Sequence, residues 1–221
     1  MRAGRPYGAA ALTAVALIVT MGMPRAAGVA LPDPSVDDTP GTSKGLATLV
    51  VAGGCFWGIE EVYQHVRGVV DAVSGYAGGS AKKANYETVS TGTSGHAESV
   101  KITYDPLKVT LGRLLKVFFS VAHDPTSLNR QGPDVGPQYR SAVFYSGERQ
   151  QQLVKSYIDQ LNAANVFRSK IVTQVAPLNG FYAAEDEHQD FARKNPFHPY
   201  ILINDKPKIE DLKREFPSLY K

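Results

Sequence analysis

Residues 46 to 66 constrain the fold more than any other stretch of the chain. Leu46 to Ala52 (LATLVVA) is an apolar run of strand length, enriched in β-branched residues. Gly53-Gly54 breaks it. From Cys55 to Val66 the apolar residues Phe56, Ile59, Val62, Tyr63 and Val66 recur at the spacing of one helix face, with Glu60, Glu61 and Gln64 between them. A strand that passes through two glycines straight into an amphipathic helix calls for a sheet covered by helices. The same junction places Cys55, the only cysteine, where strand turns into helix, two residues before Trp57, the only tryptophan.

The rest of the chain continues the pattern. Val69 to Tyr76, Glu98 to Tyr104, Tyr139 to Tyr145 and Ile171 to Ala176 have strand character. Thr110 is a suitable N-cap for a helix over Leu111 to Val121. Glu148 to Asn162, Ala184 to Lys194 and Ile209 to Phe216 read as helices, the second stopped by Asn195-Pro196. Tyr86 to His96 reads as loop, and so does Asp124 to Pro137, whose length suits a functional segment. Strands and helices alternate without strict βαβ pairing, which implies one α+β or mixed α/β domain.

The first thirty residues differ. Arg2 and Arg5 precede an uncharged run from Ala9 to Met23, and small residues follow at 26 to 30. That is the order of a secretory signal peptide, cleaved around Gly28 to Ala30. The apolar run has 15 residues, short of the roughly 20 that span a bilayer; an uncleaved N-terminal anchor is the alternative. Residues 31 to 45, rich in Pro, Ser, Thr, Asp and Gly, read as a flexible linker, and 46 to 221 as a single domain. The formal net charge is +3, from 24 basic and 21 acidic residues; the leader holds three arginines and no acid, so the remainder is balanced at 21 against 21. That excludes the basic footprint of a nucleic-acid binder. Export implies a periplasmic or extracellular protein, with no stable membrane insertion once the leader is removed.

A lone thiol in an exported protein cannot form an internal disulfide and is a candidate reactive group. At a helix N-terminus it meets unpaired backbone N–H groups and the positive end of the helix dipole, both of which favour the nucleophilic thiolate. Paired glycines leave access to the sulfur, and Phe56 and Trp57 set flat apolar surface beside it, suited to a methyl group. A buried packing cysteine fits the same position. A papain-like dyad with His96 or His123 is a second catalytic reading, and a non-enzymatic binder of methionine-rich surfaces a third. One cysteine and five scattered histidines give no metal-ligand spacing.

GGCFWG (Gly53 to Gly58) resembles the active-site signature of the class A peptide methionine sulfoxide reductases. GYAGG (75 to 79), Tyr86, TSGHAE (93 to 98), KITYDP (101 to 106), HDPTSLNRQGPDVGPQYRS (123 to 141) and AEDEHQDF (184 to 191) extend the resemblance, in order, over about 46 to 217. With the element order it implies a ferredoxin-like two-layer sandwich, a mixed β-sheet packed by helices.

The resemblance also assigns roles. Cys55 would attack the sulfoxide sulfur and become a sulfenic acid. Gly54 would allow close approach, and Phe56 and Trp57 would hold the methyl group. Glu98 would protonate the sulfoxide oxygen, Tyr86 and Tyr139 would hydrogen-bond it, and Asp134 would support the polar network through water. Tyr182 and Tyr200 are candidates for the pocket rim. The substrates would be methionine-S-sulfoxide in oxidised proteins and as the free amino acid; no cofactor would be bound, and the protein would be a monomer.

Many relatives carry a second, resolving cysteine after the block matching Asn195-Pro196 or in place of Ser90. Here Phe197-His198-Pro199-Tyr200 and Ser90 contain none. The resemblance therefore implies reduction by an external thiol, a thioredoxin or similar protein.

Overall fold

The computed structural model describes residues 30–38 and 45–221. The expected leader falls almost wholly outside the described residues. Strand β1 (Ala47–Ala52) leads through the glycine turn into helix α1 (Phe56–Gln64), and β2 (Val69–Ala77) follows. A short helix α2 (Tyr86–Ser90) precedes β3 (Ala97–Tyr104), then α3 (Leu111–Val117), which continues as a π-type turn over 118–122. A two-stranded hairpin, β4 (Arg130–Gln131) and β5 (Asp134–Val135), precedes β6 (Ala142–Tyr145) and the long helix α4 (Glu148–Ala163). Then come β7 (Gln174–Pro177), β8 (Phe181–Ala183), α5 (Phe191–Lys194) and α6 (Lys206–Glu215).

The six-stranded sheet has the order β7-β6-β1-β3-β2-β8. Every pairing is antiparallel except β6 with β7. Its central four strands, β6-β1-β3-β2, hold two split βαβ units: α1 joins β1 to β2 and α3 joins β3 to β6, each across an intervening strand. That is the ferredoxin-like arrangement, and the expected fold class stands.

Period-two alternation divides the core. Leu49 and Val51 of β1 and Val100 and Ile102 of β3 face the helices, where they pack with Ile59, Val62, Leu114, Phe118 and Tyr157. Val50 and Ala52 point to the other face and join Ala77, Ala97, Ala142 and Phe144 in a thinner cluster. Glu98 shares the helix-facing side with Val100 and Ile102, so β3 directs a carboxyl toward the start of α1.

Several local expectations change. Tyr86–Ser90 is helical because Asn85 caps it, its side chain accepting the Thr88 N–H at 2.9 Å. The helix expected over 184–194 is interrupted: Asp190 adopts φ +58°, with its N–H donated to Glu60 at 3.1 Å and its carboxylate accepting from Gln64 at 2.8 Å. The flexible linker is corrected for residues 31–38, which lie against α3 and α4. Leu31 is buried, the Pro32 carbonyl accepts from Tyr157, and Asp37 accepts the Gly112 N–H at 2.8 Å. The Pro- and Asp-rich composition serves docking there, because the carboxylates meet helix N–H groups and the cation of Lys116.

Candidate active site

Cys55 closes the turn between β1 and α1. Gly54 holds φ +97°, a conformation natural to glycine. A Cβ there would lie 2.7 Å from Gln131 Cβ, and one on Gly53 would lie 2.7 Å from the His123 ring. The two glycines therefore let the turn fold tightly beneath the segment bearing His123 and Gln131.

Glu98 is 2% exposed. Its carboxylate accepts the Phe56 backbone N–H at 3.1 Å, one of the donors left unpaired at the start of α1. Burial pushes this carboxyl up to about 8; the Phe56 N–H opposes the rise and Asp134 adds to it. At neutral pH Glu98 is thus a protonated acid beside the cysteine.

The thiol is a correction. The helix N-terminus leads one to expect a thiolate, and the Trp57 N–H does favour it. Burial outweighs that contribution, and the charges of Glu98 and Asp205 add to burial, so the thiol is held well above its ordinary value. Burial therefore favours the thiol form of Cys55.

Tyr86 at the start of α2, Tyr139 in the turn before β6 and Asp134 on β5 lie within electrostatic reach of Cys55 and Glu98. Burial raises both tyrosine hydroxyls first, and the charges of Glu98, Asp134 and Cys55 raise them further. Asp134 finds its partner in the Tyr200 hydroxyl, which donates to it. Tyr200 therefore belongs to the site, whereas Tyr182 packs edge-on against His96 on the outer strand β8.

The two aromatic neighbours behave differently. Trp57 is half-buried, stacked on Phe191 with ring centroids 3.7 Å apart and met edge-on by Tyr200 at 5.9 Å. Phe56 is 0% exposed, its ring beneath His188 and Tyr76, so it backs the site rather than lining it. His188 Nδ1 accepts the Trp57 indole N–H at 3.3 Å, and burial lowers the imidazole so that it stays a neutral acceptor.

The two histidines of the dyad reading are both engaged. His96 accepts the Gly79 N–H on Nδ1 at 3.2 Å and donates from Nε2 to the Ser80 carbonyl at 3.0 Å. His123 bonds the Phe118 carbonyl through Nδ1 and Ser141 Oγ through Nε2, and burial lowers it to about 4. Neither has a ring nitrogen free to act on Cys55, which removes the dyad reading. Among the described residues no group of three or more His, Cys, Asp or Glu is placed to hold a metal ion.

Sequence reading missed three participants. Glu185 accepts the Tyr86 N–H at 2.9 Å and the Tyr76 hydroxyl at 2.7 Å, fixing the start of α2. Phe191 stacks on Trp57, and Asp205 lies fully buried near the sulfur. Glu185 and Phe191 stand within AEDEHQDF, a block that carried the resemblance but assigned them no role, and Asp205 lies in none of the quoted blocks.

The peptide methionine sulfoxide reductase family model matches residues 47–219. A peptide methionine sulfoxide reductase, MsrA 2, of Mesorhizobium japonicum is 57% identical over 176 residues, 80% of this chain and 90% of that protein. The MsrA 2 protein of Synechocystis is 49% identical over 193 residues, 86% of this chain and 90% of its own length. Among solved structures, methionine sulfoxide reductase A of Corynebacterium diphtheriae is 37% identical with a TM-score of 0.61, over 81% of this chain and 90% of that one. Reduced Mxr1 of Saccharomyces cerevisiae gives 31% and 0.64, over 74% and 92%. A chain matched along its whole catalytic length, with a buried acid fixed beside its one thiol, belongs to the peptide methionine sulfoxide reductase family and reduces methionine sulfoxide.

Proposed function

We propose that Cys55 attacks the sulfur of methionine-S-sulfoxide, peptidyl or free, while the neutral Glu98 carboxyl protonates the departing oxygen. The products are methionine and a Cys55 sulfenic acid. The sulfoxide sulfur is reduced to a thioether, Cys55 is oxidised, and the thiol proton restores the Glu98 carboxyl, so the sulfenic acid carries the single proton that Glu98 gave to the oxygen. The observation that carries this reading is the Glu98 carboxyl, raised to about 8 and bonded to the first N–H of α1. A sulfoxide oxygen leaves only if it gains a proton as the S–O bond weakens, and an acid poised near working pH supplies it.

Tyr86 and Tyr139 donate to the same oxygen and stabilise the charge that develops on it. Trp57 offers the surface that meets the methyl group, and the fully buried Phe56 backs the site. Asp134 and Tyr200 brace the wall facing them. The thiolate forms only as the substrate binds, when the electron-poor sulfoxide sulfur faces the buried thiol. No prosthetic group is needed, because sulfur is the redox centre.

The chain has one cysteine, so a second molecule completes the cycle. An external thiol attacks the sulfenic acid, releases water and leaves a mixed disulfide; a second thiol then frees Cys55. A thioredoxin-type dithiol delivers both in one encounter. With residues 1–30 removed as an export leader, the enzyme works as a monomer in the periplasm or outside the cell, repairing oxidised proteins.

Glu98→Gln is expected to lower kcat/KM by about a hundred- to ten-thousandfold with KM little changed, and Cys55→Ser to abolish turnover while leaving the fold intact. Normal turnover in Glu98→Gln would overturn the assignment of the acid. Single-thiol and dithiol donors, tested separately with each resolved sulfoxide epimer, examine the resolving step and the stereochemistry.

A further inference from the structure

Asp205 is 0% exposed, yet the mechanism above gives it no task. It ends the π-type turn Ile201–Asp205 that leads into α6. One carboxylate oxygen accepts from Lys208 at 2.9 Å, while the other, Oδ2, is buried with no hydrogen-bond partner. Buried carboxylate oxygens normally find partners, and one that does not calls for a reason. The position is made available by Gly58: a Cβ there would lie 2.0 Å from Asp205 Oδ1 and 2.6 Å from Lys208 Nζ. Gly58 lies in the first turn of α1, three residues after Cys55 at the helix N-cap, and Glu61 follows three residues later. Asp205 and Lys208 rest against Gly58, about one turn from the cysteine.

We propose that Asp205, seated on Gly58, is a positioning residue that restrains the reactivity of Cys55 until substrate binds, with Lys208 setting the strength of that hold. A negative charge shut off from solvent opposes a second one forming a helix turn away, and the adjoining cation offsets part of the effect. The protection has chemical value. A thiolate attacks hydrogen peroxide at one oxygen: the O–O bond breaks, the sulfur becomes a sulfenic acid, and the other oxygen leaves as hydroxide and takes up the thiol's proton as water. A thiol does so far more slowly, so the sulfur is spared for sulfoxide.

Other groups face Cys55 as well: Glu98 from β3, Asp134 from β5, Tyr86 from α2, Tyr139 before β6 and Tyr200. Glu61 on α1 faces Asp205 and Lys208 in turn and has a buried oxygen, Oε2, without a partner. Asp205 differs from Glu98 and Asp134 in being paired with a cation.

The inference rests on Cys55 being the nucleophile, but its test does not require turnover. The rate of iodoacetamide alkylation of Cys55 is measured across pH in the full chain, with hydrogen peroxide oxidation followed in parallel. Asp205→Asn is expected to lower the alkylation midpoint by about one pH unit. At pH 8 both reactions should then run about three- to tenfold faster, the gain in thiolate being partly offset by its lower nucleophilicity. Lys208→Gln is expected to move the midpoint the opposite way and slow both reactions. That opposition is what a merely structural role would not produce. An unshifted midpoint in Asp205→Asn overturns the proposal. Should Asp205→Asn not fold, Lys208→Gln decides alone, and an unchanged or lowered midpoint there overturns it.

Discussion

At the residue scale the chemistry depends on which groups hold a proton. Burial sets Glu98 near 8 and Cys55 well above its ordinary value. The acid is therefore available below about pH 8 and lost above it. The kcat/KM of the natural enzyme should fall on the alkaline side as Glu98 ionises, and Glu98→Gln should lose that limb along with most of its rate. An alkaline limb unchanged in the variant would assign the titration to another group. Tyr139→Phe and Tyr86→Phe should each lower kcat/KM about ten- to a hundredfold, the worth of one hydrogen bond to a charged group; steady-state kinetics read this directly. Cys55, Trp57 and Glu98 were legible in the sequence through their motifs. The protonation state of Cys55 was not, because a helix N-terminus and burial act in opposite directions and only the folded chain fixes the burial. Glu185 and Asp205 were hidden for a related reason: each matters through a partner far away in sequence, Tyr86 and Gly58 respectively.

At the element scale, glycines decide how closely the pieces meet. Gly58 lets α6 and its lead-in reach α1. Gly58→Ala should cost about 1–3 kcal/mol, the usual penalty for overpacking, measured by urea unfolding, and should displace Asp205. Gly54→Ala forces φ +97° on a residue with a side chain and drives it into Gln131; a loss of about 1–3 kcal/mol is expected. The strand-to-helix junction, Thr110 as a cap and α4 were legible because they rest on periodicity and local capping. The break at Asp190 was not, since the left-handed residue is held by Glu60 and Gln64 of α1. Nor was β8, three residues added to the edge beside β2, whose pairing supplies the order that composition does not.

At the scale of the whole molecule, the fold class followed from the alternation of elements, whereas the strap over residues 31–38 did not, because its polar composition reads alike docked or free. Leu31→Ala should lower stability by about 2 kcal/mol without altering kcat, which thermal unfolding and kinetics test together. Stability should also depend on pH in a definite direction. Glu98 and Glu60 titrate near 8 and 7 when folded, against 4.5 as the ordinary value. The folded chain thus holds more protons than the unfolded chain between about 4.5 and 8, so stability from these groups falls as pH rises through that window. Glu60→Gln should flatten the lower part of the slope in urea titrations.

The catalytic expectations depend on oxygen passing from substrate to Cys55. The most direct test is intact-mass spectrometry after a single turnover of the enzyme with methionine-S-sulfoxide and no added thiol. The account predicts one methionine released per chain and a gain of one oxygen atom at Cys55, trapped by a sulfenic-acid reagent. Methionine released with Cys55 unmodified, or a chain left inert toward both epimers, would contradict it.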